Sequence, residues 1–319
     1  APAANIDLVL AKSNSNTDLV SATRFAVEND LGDVISQSFG ENESCVSTTN
    51  LNDEHAVFAE ATRKHITLLA SSGDEGAAQQ TCDGNSWTQA ASWPASDPLV
   101  TAVGATELFA AFDCNTANPC PANHPTPGTY DHEVALNEPP TFTPGNFSTG
   151  GGFSVRFTRP AYQEGVNAIP ASQRGVPDIA YSGSINHGVL VACQICDLSS
   201  STIPFFIFGG TSVGSPNWAG LVTLANQLAG RRLGFINTAI YRIGRSQALN
   251  HVSDHDITVG NNSVIEPDAN GNPVSVTGFN ATTGWDAATG WGTPKADVLV
   301  PLLVAVTIIS YGDVAIRTS

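Results

Sequence analysis

The chain has 319 residues, of which only 13% are charged, with 13 Lys and Arg against 29 Asp and Glu and a net charge of −16. So few cations cannot build a basic face, which excludes nucleic acid as a partner. No apolar run is long enough to span a bilayer, since "VLVPLLVAVTII" near the end is too short, so no membrane partner is expected either. The acidic balance favours solubility and also suits work in acid, where carboxylates are partly neutralised. The opening "APAANIDLVLA" has no basic leader and the sequence has no methionine, which reads as a processed chain or a fragment.

In chain order, "NIDLVLA" predicts a buried strand and "NTDLVSATRFAVEND" an amphipathic helix capped by Asn16 or Thr17. "DVISQSF" predicts a strand, "LNDEHAVFAEATRKH" a helix, and "ITLLASS" and "PLVTAVGA" two further strands. Strand-helix-strand at this spacing predicts a parallel sheet with right-handed crossovers in one α/β domain over 1–319. Residues 107–175 are rich in Pro, Gly and Asn and read as loops laid on the sheet. "PFFIFGGTSVGSPNWAGLVTLANQ" runs from a strand through two glycines into a helix, and "GFINTAIYRI" predicts another short helix. Ligands of such sheets sit beyond the carboxyl ends of the strands. Those ends read "SQSFGENES", "SSGDEGA" and "FGGTSVGSP", all crowded with small residues.

Six cysteines predict disulfides in an exported protein. Local pairing suggests Cys114–Cys120 and Cys193–Cys196, leaving Cys45–Cys82. "CQIC" is also half a zinc pattern, but no second Cys or His pair lies at ligand spacing. Four glycosylation sequons, at Asn42, Asn146, Asn261 and Asn280, agree with export.

Ser212, at the strand-to-helix corner, admits three readings. It can be a plain helix N-cap. "GTSVG" matches G-x-S-x-G, but no Asp or Glu lies between Ser212 and His251 to build a hydrolase triad in that order. The third is a subtilisin-like nucleophile opening a helix, with Pro216, Ala219 and Gly220 following. No His-Gly-Thr-His-type helix accompanies it among the seven histidines, so the serine needs a base other than histidine.

Here the chain resembles the sedolisin family, the serine-carboxyl peptidases on a subtilisin-like fold: a parallel sheet flanked by helices on both faces, with long surface loops. The resemblance runs from residue 1 to about residue 303 through "VISQSFGENE", "ASSGDEGA", "WPASDPLVTAVGAT", "STGGGFSVRFTRPAYQ", "RGVPDIAY", "FGGTSVGSPNWAGLV", "HDITVGNN" and "TGWDAATGWGTP". It implies Ser212 as nucleophile and Asp74 as the acid that helps hold the oxyanion. It implies a substrate cleft along Ser38, Phe39 and Gly40 and along Gly150, Gly151 and Gly152. It also implies one Ca²⁺, held by the carboxylates of Asp256 and Asp286 and the carbonyls of Ile257, Thr282 and Gly284, with Thr282 standing where the family usually has glycine. The family's general base, a Glu followed four residues later by an Asp, lies on a helix upstream of the "AP-x-A" stretch. The chain is therefore expected to act with an N-terminal fragment of its own that carries this pair. The alternative is a non-catalytic relative that kept the fold and lost the base.

Overall fold

The computed structural model describes residues 1–111, 128–140, 144–196 and 203–317, with side chains to residue 307. Four parallel strands form its centre: β1 (Val34–Gln37), β2 (Thr67–Ser71), β3 (Thr101–Ala111) and, placed beyond β3, Ile179–Ser182. The far half of β3 leaves its parallel neighbours and pairs antiparallel with β4 (Thr129–Ala135), so the Ile179–Ser182 strand is β5. β4 lies inside the stretch expected to be loops. Its first four residues are exposed, so no apolar alternation marks it, and its backbone ladder to β3 holds it in place.

Helices cover both faces of the sheet, and the pleat decides which residues meet which. α1 (Asn16–Glu28) and α2 (Thr48–Arg63) bring Val20, Val27, Leu51, Val57 and Phe58 against Leu68, Ala70 and Ala102 on one face. On the other, Leu69, Val103 and Ile179 pack under α3 (Thr211–Ala229), α4 (Asn237–Arg245) and α5 (Ala296–Arg317), with Trp218 and Tyr241 fully buried. Ser15, rather than Asn16 or Thr17, caps α1, its Oγ accepting from Asp18 N at 3.3 Å. No helix among the described residues is long and apolar enough to cross a membrane.

One expected strand is not there. Residues 5–11 carry no ladder, and Ile6, Leu8 and Leu10 are 91%, 81% and 78% exposed. Alternation suits a strand only where a partner completes the ladder, and none lies beside this segment. Among the described residues β1 is the edge of the sheet, paired on one side only.

Disulfides join Cys45 to Cys82 and Cys193 to Cys196, while Cys114 and Cys120 lie outside the described residues. The Asn42 sequon is buried, its amide donating to the Gln80 carbonyl at 3.0 Å.

Candidate active site

Three strand ends meet at the start of α3. A hairpin of Val189–Ala192 and Phe205–Phe208 delivers the chain through Gly209 and Gly210 into the helix. Gly210 caps it with φ 93, and a Cβ there would lie 2.6 Å from Asp74 Oδ2. Both the dihedral and the space demand glycine. Ser212 follows in the first helical turn, half-buried, and the backbone N–H groups of this turn give positive potential beside its side chain.

Asp74 comes from the loop after β2. Its Oδ1 accepts from Thr211 N at 2.7 Å and from Thr211 Oγ1 at 2.8 Å, so this carboxyl caps the helix that carries Ser212. Thr211 Oγ1 in turn accepts from Gly73 N at 3.2 Å, tying loop and helix together. Burial pushes the Asp74 pKa up, against the two bonds from Thr211, so the carboxyl keeps its proton more readily than an exposed aspartate. Thr211 is the residue that the sequence reading passed over, although it stood in the same "GTS".

The end of β1 supplies the third side. Ser38 Oγ donates to the Ser212 carbonyl at 3.2 Å, and the Ser36 and Ser215 hydroxyls share a bond of 2.8 Å. Ser38 and Gly40 are exposed and Phe39 half-buried, which leaves an open backbone edge. Gly150, Gly151 and Gly152 sit differently. All three are buried, and a Cβ at Gly150 would meet the Ser72 carbonyl oxygen at 2.1 Å. Gly150 N donates to Gly73 O at 2.8 Å, so this segment braces the Asp74 loop from behind. No hydrogen bond reaches the Ser212 hydroxyl among the described residues.

The segment expected to hold calcium forms a separate centre. Asp286 Oδ2 accepts from Thr282 N at 3.0 Å, and the Asp256 carboxylate accepts from Gly284 N at 3.0 and 3.1 Å, so both acids bind one loop. Asp286 Oδ1 also accepts from Ala288 N and Thr289 N, at 2.9 and 2.8 Å. Burial lifts the Asp286 pKa to about 6 and raises that of Asp256. The carbonyl oxygens of Ile257, Thr282 and Gly284 accept no hydrogen bond among the described residues. Carboxylates and backbone carbonyls are hard oxygen donors, the chemistry that Ca²⁺ takes. No group of three or more His, Cys, Asp or Glu gathers as a metal site among the described residues, so an ion here must draw on the carbonyls. A cavity of about 940 Å³ adjoins this loop at Asp256 and Gly284 and does not reach Ser212.

Comparison with known proteins places these features. The subtilase family (peptidase S8) matches residues 1–292. Sedolisin of Pseudomonas sp. (strain 101) is 31% identical over 256 residues, covering 78% of this chain and 39% of its own length. Kumamolisin of Bacillus sp. (strain MN-32) is 30% identical over 272 residues, covering 83% and 43%. The chain thus spans about two fifths of the length of these curated relatives. The solved structure of Pseudomonas sedolisin, a serine-carboxyl proteinase complexed with two molecules of pseudo-iodotyrostatin, superposes with a TM-score of 0.73 at 29% identity, over 93% of this chain and 72% of that one. The fold is subtilisin-like, and the chain belongs to the subtilase family, on its sedolisin branch.

Proposed function

We propose that this chain is the catalytic part of an exported, acid-active serine-carboxyl endopeptidase. Ser212 attacks the peptide carbonyl, and Asp74, protonated, donates to the oxyanion together with backbone N–H groups of the first turn of α3. The observation that carries this reading is the Asp74 carboxyl seated on the Ser212 helix, with burial holding its proton. An oxyanion needs donors, and a carboxyl group donates only while protonated, which ties the reaction to acid. The substrate lies along the open edge at Ser38, Phe39 and Gly40. The general base is a carboxylate outside the 319 residues, on a Glu-x-x-x-Asp helix. Asp256, Asp286 and the carbonyls of Ile257, Thr282 and Gly284 hold one Ca²⁺, which steadies the loop by neutralising its acids. The disulfides support export.

A second reading is a relative that kept the fold and binds without cleaving. One experiment separates the two. Peptide cleavage is measured for the chain alone and after addition of a segment bearing the Glu-x-x-x-Asp helix. The peptidase reading expects little cleavage alone and cleavage strongest in acid with the segment. Ser212→Ala then abolishes it, and Asp74→Asn lowers kcat on the order of 10²-fold with peptide binding retained. Cleavage near neutral pH that depends on a histidine overturns the mechanism, and no cleavage under any condition favours the binding relative.

A further inference from the structure

The four glycosylation sequons look alike in the sequence, and the fold treats them unequally. Asn42 is buried. Its Nδ2 donates to the Gln80 carbonyl and its Oδ1 accepts from Ser44 N, each at 3.0 Å. Asn146 is half-buried and its amide turns inward too. Nδ2 donates to Asn137 Oδ1 at 3.2 Å, and Oδ1 accepts from Ile265 N at 3.0 Å. Both side chains hold loops together, and a sugar on either nitrogen would have to displace close-packed protein.

Asn261 and Asn280 compete for one place. They face each other in an antiparallel bridge, flanked by hydrogen bonds from Asn262 N to Phe279 O at 3.1 Å and from Ala281 N to Gly260 O at 3.0 Å. This is the non-hydrogen-bonded kind of pair, in which the Cα atoms lie about 4.5 Å apart and the two side chains stand close together. Two branched glycans do not fit so near one another. Asn261 is half-buried, and its Oδ1 accepts from Ser263 N at 2.9 Å, folding the side chain back along its own backbone. Asn280 is exposed, and no hydrogen bond holds its amide among the described residues. Thr282 and Thr283, which follow, are exposed as well, so there is room in front of it.

We propose that Asn280 is the one sequon of the four that carries an N-linked glycan. The proposal rests on the export part of the functional reading, because the donor is an oligosaccharide on a polyprenyl diphosphate that a chain meets during export. The Asn280 amide nitrogen bonds to the anomeric carbon of that donor, and the bond from this carbon to the diphosphate oxygen breaks. The polyprenyl diphosphate leaves and the amide gives up one proton. Asn280, Ala281 and Thr282 supply the acceptor pattern. Transfer precedes folding, so all four asparagines are presented to the donor. A chain glycosylated at Asn42 or Asn146 loses the contacts above and does not fold, whereas a bulky, solubilising group at Asn280 stays on the surface.

The test expresses the full chain behind a secretion leader in a eukaryotic host and maps its glycans by peptide mass spectrometry, before and after peptide-N-glycosidase. The secreted chain should carry one glycan, on the peptide with Asn280, and the peptides with Asn42, Asn146 and Asn261 should be bare. Asn280→Gln should lose that glycan and gain none at Asn261. If this variant is not secreted, Thr282→Ala, which keeps the asparagine and removes the sequon, serves in its place. A glycan at Asn42, Asn146 or Asn261 in the secreted chain overturns the selection. A bare secreted chain overturns the proposal and leaves the export reading standing, whereas a chain that the host retains and degrades overturns both.

Discussion

Asp178 shows how much one buried residue can organise. Its carboxylate accepts from Arg174 at 2.6 Å, from Ala102 N at 2.7 Å and from the Tyr241 hydroxyl at 2.8 Å, and both ionic partners are fully buried. These bonds tie β3, α4 and the approach to β5 into one knot. Removing one member of a buried pair strands the other charge, at a cost of about 3–5 kcal/mol. Asp178→Ala should therefore lower the urea midpoint far more than a substitution in the Glu60–Arg63 pair, which water screens. Equal effects would show that the buried pair is not what joins these elements. "GVPDIAY" drew attention in the sequence only as part of the family resemblance. Nothing local in it announces that Asp178 reaches 59 to 76 positions away to Asn237 and Ala102, because such pairing exists only after folding.

Among the elements, the 282–286 loop is where the proposed ion would act. Two acids whose pKa burial raises share it, so their ionised forms are costly there. We expect chelator to lower the melting temperature by several degrees, and Asp286→Ala to abolish the chelator's effect. Identical melting of the unmutated chain with and without chelator would remove calcium from the account. The sequence read most elements well where the apolar signal is strong, as on the buried face of α2 and in the wholly buried run of β2. It missed β4, which is held by its backbone alone, and it placed residues 5–11 in a sheet that they do not join. Alternation reports what a segment suits, and the ladder needs a neighbour that no single segment can supply. At the candidate site, the motifs singled out Ser212 and Asp74, which the fold brings together at the start of α3. No motif separated Asn280 from the other three sequons, because the difference lies in which amides the folded chain buries or binds.

At the scale of the whole molecule, buried carboxyls dominate the acid–base balance. Glu54 and Glu266 are lifted to about 7 and Glu75 and Glu133 are raised, with burial the main cause in each. Folded, these groups hold protons more tightly than the unfolded chain, whose glutamates ionise near 4.5. The stability that they contribute is complete below about 4.5 and is lost as pH climbs through 7. Thermal melting should thus be highest at pH 4–5 and fall by several degrees by pH 7.5, with Glu54→Gln flattening the slope; a melting temperature that rises over this range would contradict it. The same acidity acts on the unpaired edge of β1 and on the bare Ile6, Leu8 and Leu10. An open strand edge is a template for another chain, and at neutral pH a net charge of −16 keeps copies apart. Protonation removes that repulsion, so the conditions that steady each molecule also invite edge-to-edge clumping. Turbidity, more than unfolding, then sets how concentrated an acidic preparation can be.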